Sequence, residues 1–147
     1  MLRGSTELLQ RSVRTFVPVV EALVSAPAEL WTLDADQYSD ETIAAVWKFG
    51  RELRTPLHEG ASDILVTKVL LGTMGCVPAF DTNFRRGFQV STFGPEALRK
   101  IGKFYKDNAE VIEAHREPTL DFDTGTPTNR RYTRAKVIDM IFFIEGF

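Results

Sequence analysis

Residues 68–88, Lys68-Val-Leu-Leu-Gly-Thr-Met-Gly-Cys-Val-Pro-Ala-Phe-Asp-Thr-Asn-Phe-Arg-Arg-Gly-Phe88, decide how this chain is read. Leu70 and Leu71 belong to an apolar helical run that Ser62 can cap, with Ile64, Leu65 and Val69 on it and Lys68 among them. Gly72 and Gly75 close that run, since glycine tolerates the backbone of a tight turn. Pro78 suits the first turn of a following helix carrying Phe80, Phe84 and Phe88. Asp81 stands at the opening of that second helix, ahead of Arg85 and Arg86. Nowhere else do special backbone chemistry and a candidate reactive group coincide.

Outward from this stretch the pattern stays helical. Toward the N-terminus, Leu8, Leu9, Val13, Phe16, Val17, Val20 and Leu23 recur at spacings of three and four, the mark of an amphipathic helix. Pro18 inside that pattern kinks or divides it, because proline lacks an amide donor and crowds the preceding turn. Ser39 followed by Asp40 and Glu41 marks a helix start, with acids near the positive end of the dipole. That helix presents Ile43, Val46, Trp47, Phe49 and Leu53, with Gly50 as a soft point or close contact, and Thr55-Pro56 ends it.

Toward the C-terminus, residues 89–96 read as a loop with room for one extended strand at Gln89–Thr92, and Pro95 begins a helix bearing Leu98, Ile101, Phe104 and Ile112. Residues 116–131 are rich in turn formers and form the longest irregular segment. A last helix over about 133–145 is nearly continuous in apolar residues, which makes it a core element and obliges Asp139 to find a partner. The expected fold is all-α: one domain over residues 1–147, about six helices, and one long loop before a buried C-terminal helix.

Composition agrees with one well-filled core. The chain has 147 residues, 44% hydrophobic and 26% charged, with eleven phenylalanines. Glu21, Lys68, Arg85 and Asp139 interrupt every apolar run before it reaches the roughly 20 residues of a membrane span. The N-terminus shows no signal-peptide pattern, so a soluble, cytoplasmic protein with no membrane partner is expected. Cys76 is the single cysteine, which excludes an internal disulfide and a thiolate zinc cluster. His58 and His115 show no ligand spacing, so neither a metal nor another cofactor is expected.

Charge is uneven. Residues 1–83 carry seven Lys/Arg against eleven Asp/Glu, and residues 84–136 carry eleven against seven, so the two parts differ as −4 and +4. Arg85 and Arg86, and then Arg130, Arg131 and Arg134, form either a phosphate-binding patch or a set of solvated faces balanced by nearby acids. Tyr132 lies beside the second group, where it can stack on a base.

The phrase VPAFDTNFRRGF, with Asp81-Thr82, Asn83 and Arg85-Arg86, resembles the helix opening that carries the aspartate in DNA glycosylases of the helix-hairpin-helix superfamily, and VIDMIFFIEG is similar to the apolar helix that closes their domain. The likeness covers about residues 40–147 and implies an all-helical DNA-binding protein. Of the hairpin glycines LHEGAS keeps Gly60, and Ser62 or Asp63 stands where the lyase lysine would be. The implied chemistry is therefore monofunctional: Asp81 stabilises developing sugar cation character and orients a water, with the target base rotated out of the duplex. The alternative is a non-catalytic helical interaction protein, a homodimer among its forms, in which Asp81 caps its helix.

Overall fold

The computed structural model describes residues 12–57 and 60–147, so the first part of the N-terminal pattern, including Leu8 and Leu9, and His58 lie outside the described residues. Pro18 does divide the N-terminal element: a 3-10 turn at Val13–Phe16 runs into helix α1 (Val17–Val24), with Pro18 in the first turn, where its missing donor costs nothing. Helix α2 (Asp40–Glu52) starts at Ser39, whose Oγ accepts from the Thr42 amide while the Thr42 hydroxyl accepts from the Ser39 amide. Helix α2 ends ahead of Thr55-Pro56, as the sequence implies. The pair lies in a separate single turn, α3 (Arg54–Leu57), where a proline near the start of a helix is tolerated.

Helix α4 (Asp63–Thr73) is capped by Ser62, as its sequence implies, and Gly75 follows with a φ of +68°. Residues 75–81 then run without regular structure, so Pro78 sits in a buried irregular strap and not in a helical turn. Helix α5 (Thr82–Phe88) begins only after Asp81 and ends at Gln89 in the left-handed conformation. The extended strand considered at Gln89–Thr92 does not form. Helices α6 (Pro95–Asp107) and α7 (Ala109–Ala114) follow, broken at Asn108, and helix α8 (Arg134–Glu145) starts at Thr133.

The molecule is mostly helical, with six helices of seven residues or more among the described residues, but it is not strictly all-α. The segment read as an irregular loop forms an antiparallel hairpin, β1 (Pro118–Leu120) with β2 (Pro127–Arg131), pairing Pro118 with Arg131 and Leu120 with Pro127. Its turn is held by Asp121, whose Oδ1 accepts from the Asp123 and Thr124 amides, and by Gly125 at a φ of +68°. The threonine hydroxyls of Thr119 and Thr128 meet across the strands at 2.7 Å. These turn formers close a hairpin because their side chains replace the backbone partners that a loop would lack.

The core gathers around an aromatic chain. Phe80 contacts Phe84 and Phe93, with ring centroids 5.3 and 5.4 Å apart, and Phe88 meets Phe142 at 4.6 Å, mostly tilted or edge-on. Helices α5 and α8 approach closely through glycine: a Cβ on Gly87 would lie 2.3 Å from the Phe142 carbonyl oxygen. Gly50 is likewise a close contact, its missing Cβ leaving room for the Phe93 ring at 2.7 Å. Helix α8 is buried through Ala135, Val137, Ile138 and Asp139, whereas Phe143, Ile144 and the terminal Phe147 face out. The C-terminal helix is therefore half core and half surface.

Candidate functional site

An irregular buried strap must satisfy its amides and carbonyls with side chains, because no ladder does it. Residues 75–81 recruit those side chains from four directions. The Tyr38 hydroxyl donates to the Cys76 carbonyl at 2.6 Å, and the Thr133 hydroxyl donates to the Gly75 carbonyl at 2.8 Å. The Ala79 amide donates to Asp139 Oδ1, and the Phe80 amide to Thr67 Oγ1, each at 2.9 Å. Lys136 Nζ completes the buried Asp139 carboxylate at 2.9 Å from Oδ2. The acid that the sequence requires to be partnered thus ties α8 to the strap.

Asp81 is the last residue of the strap and the N-cap of α5. Its Oδ1 accepts from the Phe84 amide at 3.0 Å, and Lys68 Nζ on α4 stands 3.8 Å from Oδ2. The carboxylate side chain is 18% exposed and the lysine side chain 40%. Both oxygens therefore have partners within this chain. A cleft of about 520 Å³ opens elsewhere, between Trp47 and the 89–97 turn, with Phe93 and Pro95 in its wall, and Asp81 is not part of its lining.

The arginines fall into two sets. Arg85 donates to the Ser91 carbonyl at 3.2 Å and Arg86 to the Phe147 carbonyl at 2.7 Å, so both are engaged at the C-terminal end of α5. Arg131 donates to the Arg116 carbonyl at 2.6 Å, and Arg134 is drawn into a cluster with Asp34, Asp36, Glu113 and Tyr105. Among the described residues no hydrogen bond or ion pair joins the two sets. The Arg130 guanidinium makes no hydrogen bond or ion pair among the described residues, and the residue is exposed.

The Arg134 cluster is the principal polar arrangement that sequence reasoning missed. Asp34 is buried and caps α8 from 100 residues away, its Oδ2 accepting from the Arg134 amide at 2.8 Å and its Oδ1 from the Ala135 amide at 2.9 Å. Glu113 Oε1 accepts from Arg134 Nε at 2.5 Å and from the Tyr105 hydroxyl at 3.0 Å, and Arg116 takes its other oxygen at 3.0 Å. Desolvation pushes the Glu113 carboxyl up, but the hydrogen bonds from Arg116, Tyr105 and Arg134 together outweigh it and hold the group below its ordinary value. No local signal in the sequence marks a pairing of this separation.

The remaining candidates are structural or solvated. Burial pushes the Cys76 thiol up to about 12, so it stays protonated and unreactive at neutral pH. His115 lies on the surface with Nδ1 2.8 Å from the Val111 carbonyl. Among the described residues no group of three His, Cys, Asp or Glu side chains could hold a metal ion, and no helix is long and apolar enough to cross a membrane. Against known protein families, curated proteins and solved structures, the chain has no match. The resemblance to the helix-hairpin-helix glycosylases therefore stands on the residues around Asp81 and on VIDMIFFIEG alone.

Proposed function

We propose that this chain is a non-catalytic helical interaction protein, in which Asp81 is a helix cap and exposed apolar side chains form the surface that partners meet. The observation that carries this reading is the engagement of both Asp81 oxygens, one by the Phe84 amide and one by Lys68. A carboxylate so placed stabilises the start of α5, and the cleft beside Trp47 does not include it in its lining. The large apolar side chains that face solvent, among them Val24 and Ile144, supply the contact surface instead.

A second reading, a monofunctional glycosylase-like or degenerate DNA-binding relative, is favoured by two observations: the partial exposure of Asp81 and the unengaged guanidinium of Arg130. One pair of variants separates the two. Asparagine caps a helix about as well as aspartate, whereas alanine loses about 1 kcal/mol. On the cap reading Asp81→Asn unfolds in urea almost like the native chain and Asp81→Ala earlier, with no base released from duplex DNA by any of them. Base release by the native chain that Asp81→Asn abolishes while remaining folded contradicts the non-catalytic reading. Binding to duplex DNA that falls steeply with salt, and is lost on Arg130→Ala with Arg131→Ala, supports the nucleic-acid reading instead.

A further inference from the structure

The hairpin of β1 and β2 stands off the body of the molecule. Among the described residues, every hydrogen bond made by residues 118–131 stays within residues 116–131, and none of these residues forms an ion pair. One carboxylate grips its root from both sides: Glu113 accepts from Arg116, just before β1, and from Arg134, just after β2. The turn is fixed as well, since Asp121 Oδ1 accepts from the Asp123 and Thr124 amides and from the Thr124 hydroxyl. Between these two constraints Phe122 is fully exposed and Leu120 is 61% exposed. A fixed turn that presents a bare aromatic ring to water has the form of a preorganised anchor, because little freedom is left to lose when the ring is covered.

Charge and shape select what covers it. Residues 120–127 hold Asp121 and Asp123, one on each side of Phe122, and no Lys or Arg. Such a tip is repelled by phosphates and suits an apolar pocket rimmed by cations. The chain carries a pocket of that kind. The cleft of about 520 Å³ beside Trp47 has Val90, Phe93 and Pro95 in its wall, and no hairpin residue of the same chain lines it. Lys100 belongs to its lining, and the Arg51 guanidinium stands 5.2 Å from the centre of the Trp47 ring. Neither cation has a carboxylate partner among the described residues, whereas Lys48 beside them pairs with Glu52 at 3.9 Å. Glu96 is the remaining acid of the rim, so three cations stand against two acids, and the rim is net positive where the tip is net negative.

Resting on the interaction reading above, we infer that this chain associates with a second copy of itself by seating the Phe122 tip of one copy in the Trp47 cleft of the other, with Asp121 and Asp123 set against Lys100 and Arg51. The contact is one ring and its flanks, smaller than the roughly 800 Å² a side of a standard interface. Association is accordingly weak and concentration-dependent.

Sedimentation equilibrium of the full chain, taken from about 10 μM to about 1 mM, reads it directly. Reversible self-association is expected, weakened about tenfold or more by Phe122→Ser at the tip and by Thr92→Glu at the mouth of the cleft, both exposed positions. An equimolar mixture of these two variants should associate more tightly than either alone, because one supplies an intact cleft and the other an intact tip. Arg51→Glu weakens association about threefold, and Asp123→Lys added to the same chain restores it. Ile144→Lys, at an exposed apolar position on α8, leaves it unchanged. A strict monomer at every concentration overturns the inference. So does association that survives Phe122→Ser, is lost on Ile144→Lys, or is not recovered in the mixture. None of these results touches the interaction reading, whose failure shows separately as base release or DNA binding.

Discussion

Residues 75–88 and residues 13–24 are both apolar stretches interrupted by a proline, yet they hold opposite places in the molecule. The first is walled in: Tyr38, Thr67, Thr133 and Asp139 supply its backbone partners, and Phe80 and Phe84 are fully buried. The second lies on the core by Val19 and Leu23 and turns four valines to solvent. Local hydrophobicity does not separate them. The difference lies in the distant side chains that complete the first segment, whereas the second keeps four exposed valines. Such completion makes the strap a scaffold, and α1 carries an exposed apolar face beside its buried one.

If the strap is a scaffold, breaking its ties should cost far more than altering exposed positions. Asp139→Ala leaves the Ala79 amide and Lys136 without their buried acceptor, and a loss of about 3 kcal/mol in urea unfolding is expected. A loss below about 1 kcal/mol would mean the strap is held by packing alone. Next in size is a contrast of sign between two glycines. Gly87→Ala drives a methyl group into the Phe142 carbonyl and should destabilise by about 1–3 kcal/mol. Gly72→Ala, with nothing within 4 Å of its Cβ, should stabilise α4 by up to about 1 kcal/mol.

Smaller effects come from the periphery of the core. The folded Glu113 carboxyl lies below its ordinary value of 4.5, so its stabilisation is complete above that pH and is lost as pH falls through the lower, folded value. Glu113→Gln should therefore unfold more easily than the native chain at pH 7 and draw level with it in acid, a convergence readable from denaturant midpoints at several pH values. At the far end of the scale, Phe122 at the hairpin tip is fully exposed, and Phe122→Ser should change stability by less than about 0.5 kcal/mol.

Much of the helical course was legible from caps and periodicity. Ser39, Ser62 and Pro95 each begin the helix that their chemistry implies, and Pro18 divides its element. Errors arose where a residue type serves more than one geometry. Pro78 fits a first helical turn and a buried strap equally well, and the threonine, proline and glycine of 116–131 fit a loop as readily as a hairpin. At the candidate site, Asp81 was legible as a residue at a helix start, with cap and catalyst both open. Its pairing with Lys68, 13 residues earlier, and the capping of α8 by Asp34 depend on tertiary folding that no local pattern encodes.

The scaffold character of the strap is tested most directly by native-state hydrogen exchange at the amides of Ala79 and Phe80, the donors to Asp139 and Thr67. Both amides are expected to exchange only through global unfolding, with the same protection and denaturant dependence as the core amides of α4, such as Leu70. Exchange through a local opening, faster than at Leu70 and insensitive to denaturant, would contradict that role and mark residues 75–81 as a mobile site.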